Sequence, residues 1–167
     1  SEKAQWMLSM NYSNVISLWN NIPFPGANYF YRSPEWVILA GFPINSATRI
    51  YPSGYSWTAA ALGLYSMKFE FAYGPPFFQY FTSLEWGQQA FLLKDREVKK
   101  ERLFYDEKRA SIGVRMPLAK QLKMDLRGGY AFDRSFFTAE SYKDKRASNT
   151  FEIEDSWYGS INLTQEF

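Results

Sequence analysis

A chain of 167 residues suits a single domain, and 19 basic against 17 acidic side chains give a formal charge of +2, too small by itself to mark a nucleic-acid binder. There is no histidine and no cysteine, which removes disulfides, thiolate metal sites, thiol nucleophiles and the commonest general base. Aromatic residues make up 20% of the chain, and a mean hydropathy of −0.38 argues against a bundle of membrane helices while leaving a membrane β-barrel open.

From the start of the chain, SEKAQWML lacks a basic stretch followed by an apolar run, so no signal peptide is visible. Trp6, Leu8, Met10 and Tyr12 then alternate with Gln5, Met7, Ser9, Asn11 and Ser13, the two-residue period of a strand. Asn14–Pro34, with Pro23, Pro25 and Gly26, reads as an external loop or a cap over a barrel mouth. Its Tyr29-Phe30-Tyr31 cluster precedes a single base, Arg32, which suits packing at an interface better than stacking on nucleic acid. Glu35–Phe42 and Ser56–Leu64 follow as strands, and in the next Met67, Phe69, Phe71 and Tyr73 oppose Lys68, Glu70 and Ala72. The uncharged stretches Ala4–Tyr31 and Ile50–Met67 are broken by proline, glycine, asparagine and serine, too short in apolar content for a spanning helix.

Gly74-Pro75-Pro76 is a tight turn into a strand over Phe77–Gly87, and Gln88–Lys108 is a long charged connection. Ala110, Ile112, Val114 and Met116 next oppose Arg109, Ser111, Gly113 and Arg115, with a second tight turn at Pro117–Gln121. In Leu122–Asp133 one parity reads Leu122, Met124, Leu126, Gly128, Tyr130, Phe132 and the other Lys123, Asp125, Arg127, Gly129, Ala131, Asp133. A helix mixes these sets, whereas a strand sends them to opposite faces. A second long charged connection, Phe136–Phe151, leads to a last strand in which Trp157, Ile161, Leu163 and Phe167 oppose Ser156, Tyr158, Ser160, Asn162, Thr164 and Glu166. The expectation is an all-β, antiparallel up-and-down transmembrane barrel of about eight strands in a single domain over 1–167.

Parity alone leaves open which face is inside. A soluble sandwich or lipid-binding barrel buries the apolar parity, and an outer-membrane barrel turns it to hydrocarbon. Two features favour the membrane. Tight turns fall at one end of the strands and long charged connections at the other, the pattern of short periplasmic turns and long external loops. Trp6, Tyr12, Trp36, Trp57, Tyr73, Tyr80, Trp86, Tyr130, Phe132, Trp157 and Phe167 gather near strand ends, where rings at a bilayer interface are half buried.

The terminal strand, with Trp157, Gly159, Ile161, Leu163 and a final Phe167, resembles the recognition strand by which bacterial outer-membrane barrels engage their assembly machinery. A segment from Glu101-Arg-Leu-Phe-Tyr-Asp-Glu-Lys-Arg109 through Gly128-Gly-Tyr-Ala-Phe-Asp-Arg134 also resembles a family of uncharacterised outer-membrane barrels, over about a quarter of the chain. The resemblance implies the outer membrane of a Gram-negative cell envelope, contact with the barrel-assembly machinery through the last strand, and no assigned activity.

A barrel of about eight strands is wide enough for side chains or one small ligand. The expected lumen-facing set is Lys68, Glu70, Glu85, Arg109, Arg115, Lys123, Asp125, Arg127 and Asp133, nearly balanced in sign, which suggests a salt-bridged plug. The expected lipid-facing set is Leu122, Met124, Leu126, Tyr130, Phe132, Ile161, Leu163 and Phe167. Without histidine the usual outer-membrane hydrolase and transferase chemistries are excluded in their ordinary form, and the carboxylate pairs Asp106/Glu107 and Glu152/Glu154 read as solvated loop charges. Asp144, Glu152, Glu154 and Asp155 lack calcium-loop spacing. Asn11-Tyr-Ser13 and Asn162-Leu-Thr164 match the glycosylation pattern but fall in strands. No enzyme, cofactor, metal or nucleic-acid partner is expected. Lys99, Lys100 and Arg102 are candidates to meet outer-leaflet phosphates, and the partners expected are outer-membrane lipid, lipopolysaccharide and another envelope protein. A porin-like conduit or carrier for a small solute or ion, and a soluble lipid-binding barrel, stand as alternatives.

Overall fold

A computed structural model describes residues 3–12, 23–51, 55–75, 77–94, 98, 100–119, 121–141 and 150–165, and its strands form one antiparallel sheet. In chain order they are β1 (Lys3–Asn11), β2 (Phe24–Arg32), β3 (Trp36–Phe42), β4 (Asn45–Ile50), β5 (Ser56–Gly63) and β6 (Ser66–Tyr73). There follow β7 (Gln79–Phe91), β8 (Arg102–Ala119), β9 (Leu122–Ala139), β10 (Thr150–Ile153) and β11 (Ser156–Gln165). Each of β1 to β8 pairs with the next strand, and β10 and β11 share β9, Thr150 lying opposite Phe137 and Ser156 opposite Ala131. The two act as one strand broken at Glu154 and Asp155. β1 and β11 are the free edges and do not pair with each other, so the sheet is an open meander rather than the closed barrel expected.

Among the described residues eleven strands replace the eight expected, for identifiable reasons. β2 lies inside the expected loop Asn14–Pro34, where two prolines and a glycine masked it. Pro25 pairs with Met10 of β1 but stands beyond the register of β3, which begins at Ala27, so a neighbour flanks it on one side only. Gly26 is required there, since a Cβ would stand 2.8 Å from the Phe42 carbonyl oxygen and still closer to Ser9 Oγ. β4 reads NSATRI, whose apolar parity is too weak to notice. The connections Gln88–Lys108 and Phe136–Phe151 are shorter than expected, because β7 runs on to Phe91, β8 starts at Arg102, β9 continues to Ala139 and β10 begins at Thr150. Of the residues between these strands, 95–97, 99 and 142–149 lie outside the described residues.

Alternation gives the sheet two unlike faces. Along β6, Glu70 and Ala72 are buried and Phe69, Phe71 and Tyr73 exposed; along β7, Phe81 and Ser83 are buried and Tyr80 and Leu84 exposed. With no second layer, such burial requires the sheet to curl over its own polar face. Arg115 of β8 accordingly stacks on Trp57 of β5, its guanidinium 5.4 Å from the ring centroid, although strands three apart on a flat sheet are about 14 Å apart. The concave face is therefore the ionic one and the convex face the apolar one, with Leu8 83%, Ile112 71% and Ile161 68% exposed against 3% for Glu70.

The register fixes the ends as well. The chain turns at 33–35, 51–55, 74–78 and 120–121 at one end, and at 12–23, 43–44, 64–65, 92–101 and 140–149 at the other. All three connections of ten or more residues leave the same end. There β8 and β9, 18 residues each, outrun the rest of the sheet and carry a hydrophobic cluster in which Phe104 stacks on Phe137 at 5.0 Å beside Ala139 and Ala90.

Candidate functional site

The ionic face is built by cross-strand neighbours. β6 sets Lys68 and Glu70 opposite Glu85 and Ser83 of β7, β7 sets Glu85 opposite Arg109 of β8, and β8 sets Arg115 opposite Asp125 of β9. Two-residue alternation then holds every one of these side chains on the concave side. They join into a single chain of ion pairs. Asp125 grips Arg115 through two parallel contacts, Nε to Oδ1 at 2.9 Å and Nη2 to Oδ2 at 2.8 Å. Arg115 reaches Glu70 at 3.2 Å, Glu70 meets Lys68 at 2.9 Å, and Lys68 meets Glu85 at 3.4 Å. Glu85 also takes Arg127 at 2.7 Å and Arg109 at 3.2 Å. Arg109 continues to Glu107 at 3.3 Å, which meets Arg134 at 3.5 Å. Among the described residues the network holds five bases and four acids, one cation in surplus.

Rings and glycines complete the floor. Phe81 lies between Arg115 and Arg127, whose guanidinium carbons stand 5.1 Å and 5.2 Å from its centroid. Its ring lies over Gly113, where a Cβ would meet Phe81 Cε1 at 2.9 Å, and the Tyr158 ring lies over Gly129 in the same way, with Cε1 at 2.8 Å. These aromatic-over-glycine pairs are absent from the sequence expectations, although an aromatic facing a glycine on the next strand was the available signal. Ser83 and Ser111 hydroxyls meet at 2.7 Å beneath the ion pairs. The Tyr158 hydroxyl and Asn28 Oδ1 are buried on this face without a hydrogen-bond partner among the described residues.

Of the expected lumen-facing residues, Lys68, Glu70, Glu85, Arg109, Arg115, Asp125 and Arg127 are brought together in this network, and Lys123 stands exposed near the start of β9 on the same parity. Asp133 departs from the set. It sits at the β8/β9 register shift with φ 49°, its side chain is largely exposed, and it pairs with Lys108, which lies opposite Phe132. The extra residue of a bulge re-aims the side chain. Trp57 also departs, since its register with Ile50 and Ala72 turns the indole to the ionic face rather than to an interface.

Of the expected lipid-facing residues, Leu122, Met124, Leu126, Tyr130, Phe132, Ile161 and Leu163 lie on the parity opposite the network, and Phe167 lies outside the described residues. Tyr73 faces Tyr80 near the short turns, and Tyr130 packs on Trp157 at 5.0 Å nearer the long connections. Within this apolar band the charged exceptions sit near its ends: Arg49, 5.5 Å and 5.2 Å from the ring centroids of Trp36 and Tyr51, and Lys108 with Asp133. Asp106 is buried and accepts the Trp86 indole N–H at 2.6 Å, so it is no solvated loop charge; Glu152 and Glu154 are exposed, and Asp144 and Lys99 lie outside the described residues.

Beside the network lies a cavity of about 490 Å³, lined by Ser46 and Thr48 of β4, Trp57, Ala59 and Ala61 of β5, and Lys68, Glu70 and Arg115. The concave face is thus divided. Its charges crowd onto β6–β9, while β4 and β5 present uncharged side chains opposite them, small except for Ile50 and Trp57. Among the described residues no group of three acidic side chains is placed to hold a metal ion. Comparison with protein-family patterns, with curated proteins and with solved structures finds no match to this chain.

Proposed function

We propose that the protein is an integral β-barrel of a bacterial outer membrane with a structural or interaction role, its interior filled by the ion-paired network and its charged external connections meeting lipopolysaccharide or another envelope protein. The observation that carries this reading is the inverted polarity of the sheet: the network is concave and for the most part half-buried, with Glu70 buried at its centre, whereas Trp6, Leu8, Phe69, Phe71, Ile112, Trp157 and Ile161 are open over nearly its whole width. Water offers no reward for that distribution, and hydrocarbon does. The one-sided placement of the long connections supports the same orientation, and the rings near the two ends of the band suit two interfaces. On this reading β1 and β11 meet to close the cylinder, and the last strand engages the assembly machinery.

The test is folding into lipid. The refolded chain is expected to need detergent or bilayer, to run at a heat-dependent mobility in gels, and to give no steady conductance in a planar bilayer. Stable, monodisperse folding in detergent-free buffer would favour the soluble lipid-binding barrel instead. A second reading, a conduit or carrier for a small solute, draws support from the cavity beside Lys68, because small residues on β4 and β5 leave part of the interior unfilled. Steady conductance or solute flux into vesicles would favour it over the filled barrel.

A further inference from the structure

We infer that this cavity is a binding site for a small monocarboxylate with an apolar body, the anion held by Lys68 and the body lying on Ala59, Ala61, Ile50 and Trp57. The inference rests on the carrier reading and gives its solute a chemistry. The volume of about 490 Å³ is in the range of small-molecule sites, and the lining has their character: mostly carbon, with the charged groups at one side and the Ser46 and Thr48 hydroxyls at the other. Register explains the space. Ala61 lies directly opposite Lys68 and Ala59 opposite Glu70, with Ser46 and Thr48 next beyond, so at these positions only short side chains of β4 and β5 face the ionic groups, and Trp57 flanks the space on Arg115.

Charge selects the ligand. Among the described residues the ion-pair chain has one more base than acid, and of the two bases that line the cavity Lys68 is the less committed, since Asp125 clamps Arg115. The Lys68 side chain is 42% exposed, and it shares Glu70 with Arg115 and Glu85 with Arg109 and Arg127, the last at 2.7 Å. The buried acids thus keep arginine partners when the ammonium turns to an added carboxylate, which also neutralises the surplus charge. Glu70 on the cavity wall repels a second negative charge, so a monoanion fits and a dianion does not. Trp57, held by the Arg115 guanidinium, offers a flat wall to an aromatic or aliphatic body.

Isothermal titration of the folded protein in amphipol tests this with benzoate, its neutral counterpart benzamide, and acetate. Benzoate is expected to bind at least tenfold more tightly than either of the others. Lys68→Met is expected to reduce benzoate to the level of benzamide, and Ala61→Phe, which keeps every charge and fills the space, to abolish binding. Equal affinity for benzoate and benzamide, or an unchanged benzoate isotherm in both folded variants, overturns the site. Bilayer conductance measured on the same preparation separates the failures: steady current without benzoate binding overturns the site but leaves a conduit, and neither current nor binding overturns the site together with the carrier reading.

Discussion

At the scale of single residues, two adjacent glycines show how the faces differ. A Cβ at Gly129 would come within 2.8 Å of Ser111 Cβ and of the Tyr158 ring and 2.6 Å from the Ala110 carbonyl oxygen, whereas at Gly128 it would meet nothing within 4 Å. Gly129→Ala is therefore expected to cost about 1–3 kcal/mol through overpacking, and Gly128→Ala much less, in urea unfolding of the protein in lipid vesicles. Equal effects would mean that Tyr158 is not seated over Gly129. Glu85 is the other telling position, since one carboxylate receives Lys68, Arg109 and Arg127. Removing its charge leaves Arg127, 11% exposed in its side chain, with no carboxylate among its described ion pairs. Breaking a buried pair from one side costs about 3–5 kcal/mol, so Glu85→Gln is expected to lower stability by an amount near the lower figure, measured in the same assay. The same reasoning explains why Asp133 could not be placed from sequence: parity assigned its direction, and a single bulged residue at positive φ reversed it.

At the scale of elements, legibility followed the size contrast between the two parities. β6 and the first part of β9 set large apolar residues against charges, and their faces could be read directly from the sequence. β4, with Asn45, Ala47 and Arg49 on one parity and Ser46, Thr48 and Ile50 on the other, has no such contrast and was invisible; it is held by its neighbours rather than by its own pattern. The long connections were overestimated because the outer parts of β8 and β9 lie beyond the apolar band, where charges such as Arg102, Asp106 and Arg134 enter the strands and make them look like loops. Most of the candidate site was legible as a set of charges on one parity, but the cavity was not, since it depends on which small residues of β4 and β5 stand opposite Lys68 and Glu70. The band itself is testable at Leu126, which faces Val114 on one side and Ile161 on the other. If that row meets hydrocarbon, Leu126→Arg is expected to cost about 2–4 kcal/mol in vesicles. An unchanged unfolding midpoint would put Leu126 outside the bilayer and remove the proposed membrane orientation.

At the scale of the whole molecule, the open question posed by the fold is the pair of free edges. β1 and β11 run in opposite senses, as the meander requires, and carry matching faces: Trp6, Leu8 and Met10 against Trp157, Ile161 and Leu163 on the apolar side, Ser9 and Asn11 against Ser156, Ser160 and Asn162 on the polar side. Unpaired backbone N–H and C=O groups are untenable in hydrocarbon, so a sheet with this apolar face must satisfy both edges. Pairing them with each other closes a cylinder ten strands round; pairing them with edges of another copy gives a larger assembly. The chain has no cysteine, so introduced thiols report on this without background. A disulfide needs Cβ atoms about 3.5–4.5 Å apart, a distance that directly opposed residues of neighbouring strands can reach. Ser9→Cys combined in turn with Ser156→Cys, Ser160→Cys or Thr164→Cys samples successive polar-face positions along β11. Closure predicts that one combination oxidises efficiently within a monomer when the protein is folded in vesicles, and that none does so in urea. Cross-linked dimers in place of monomers would instead assign both edges to an interface between copies, and the filled single-chain barrel would have to be given up.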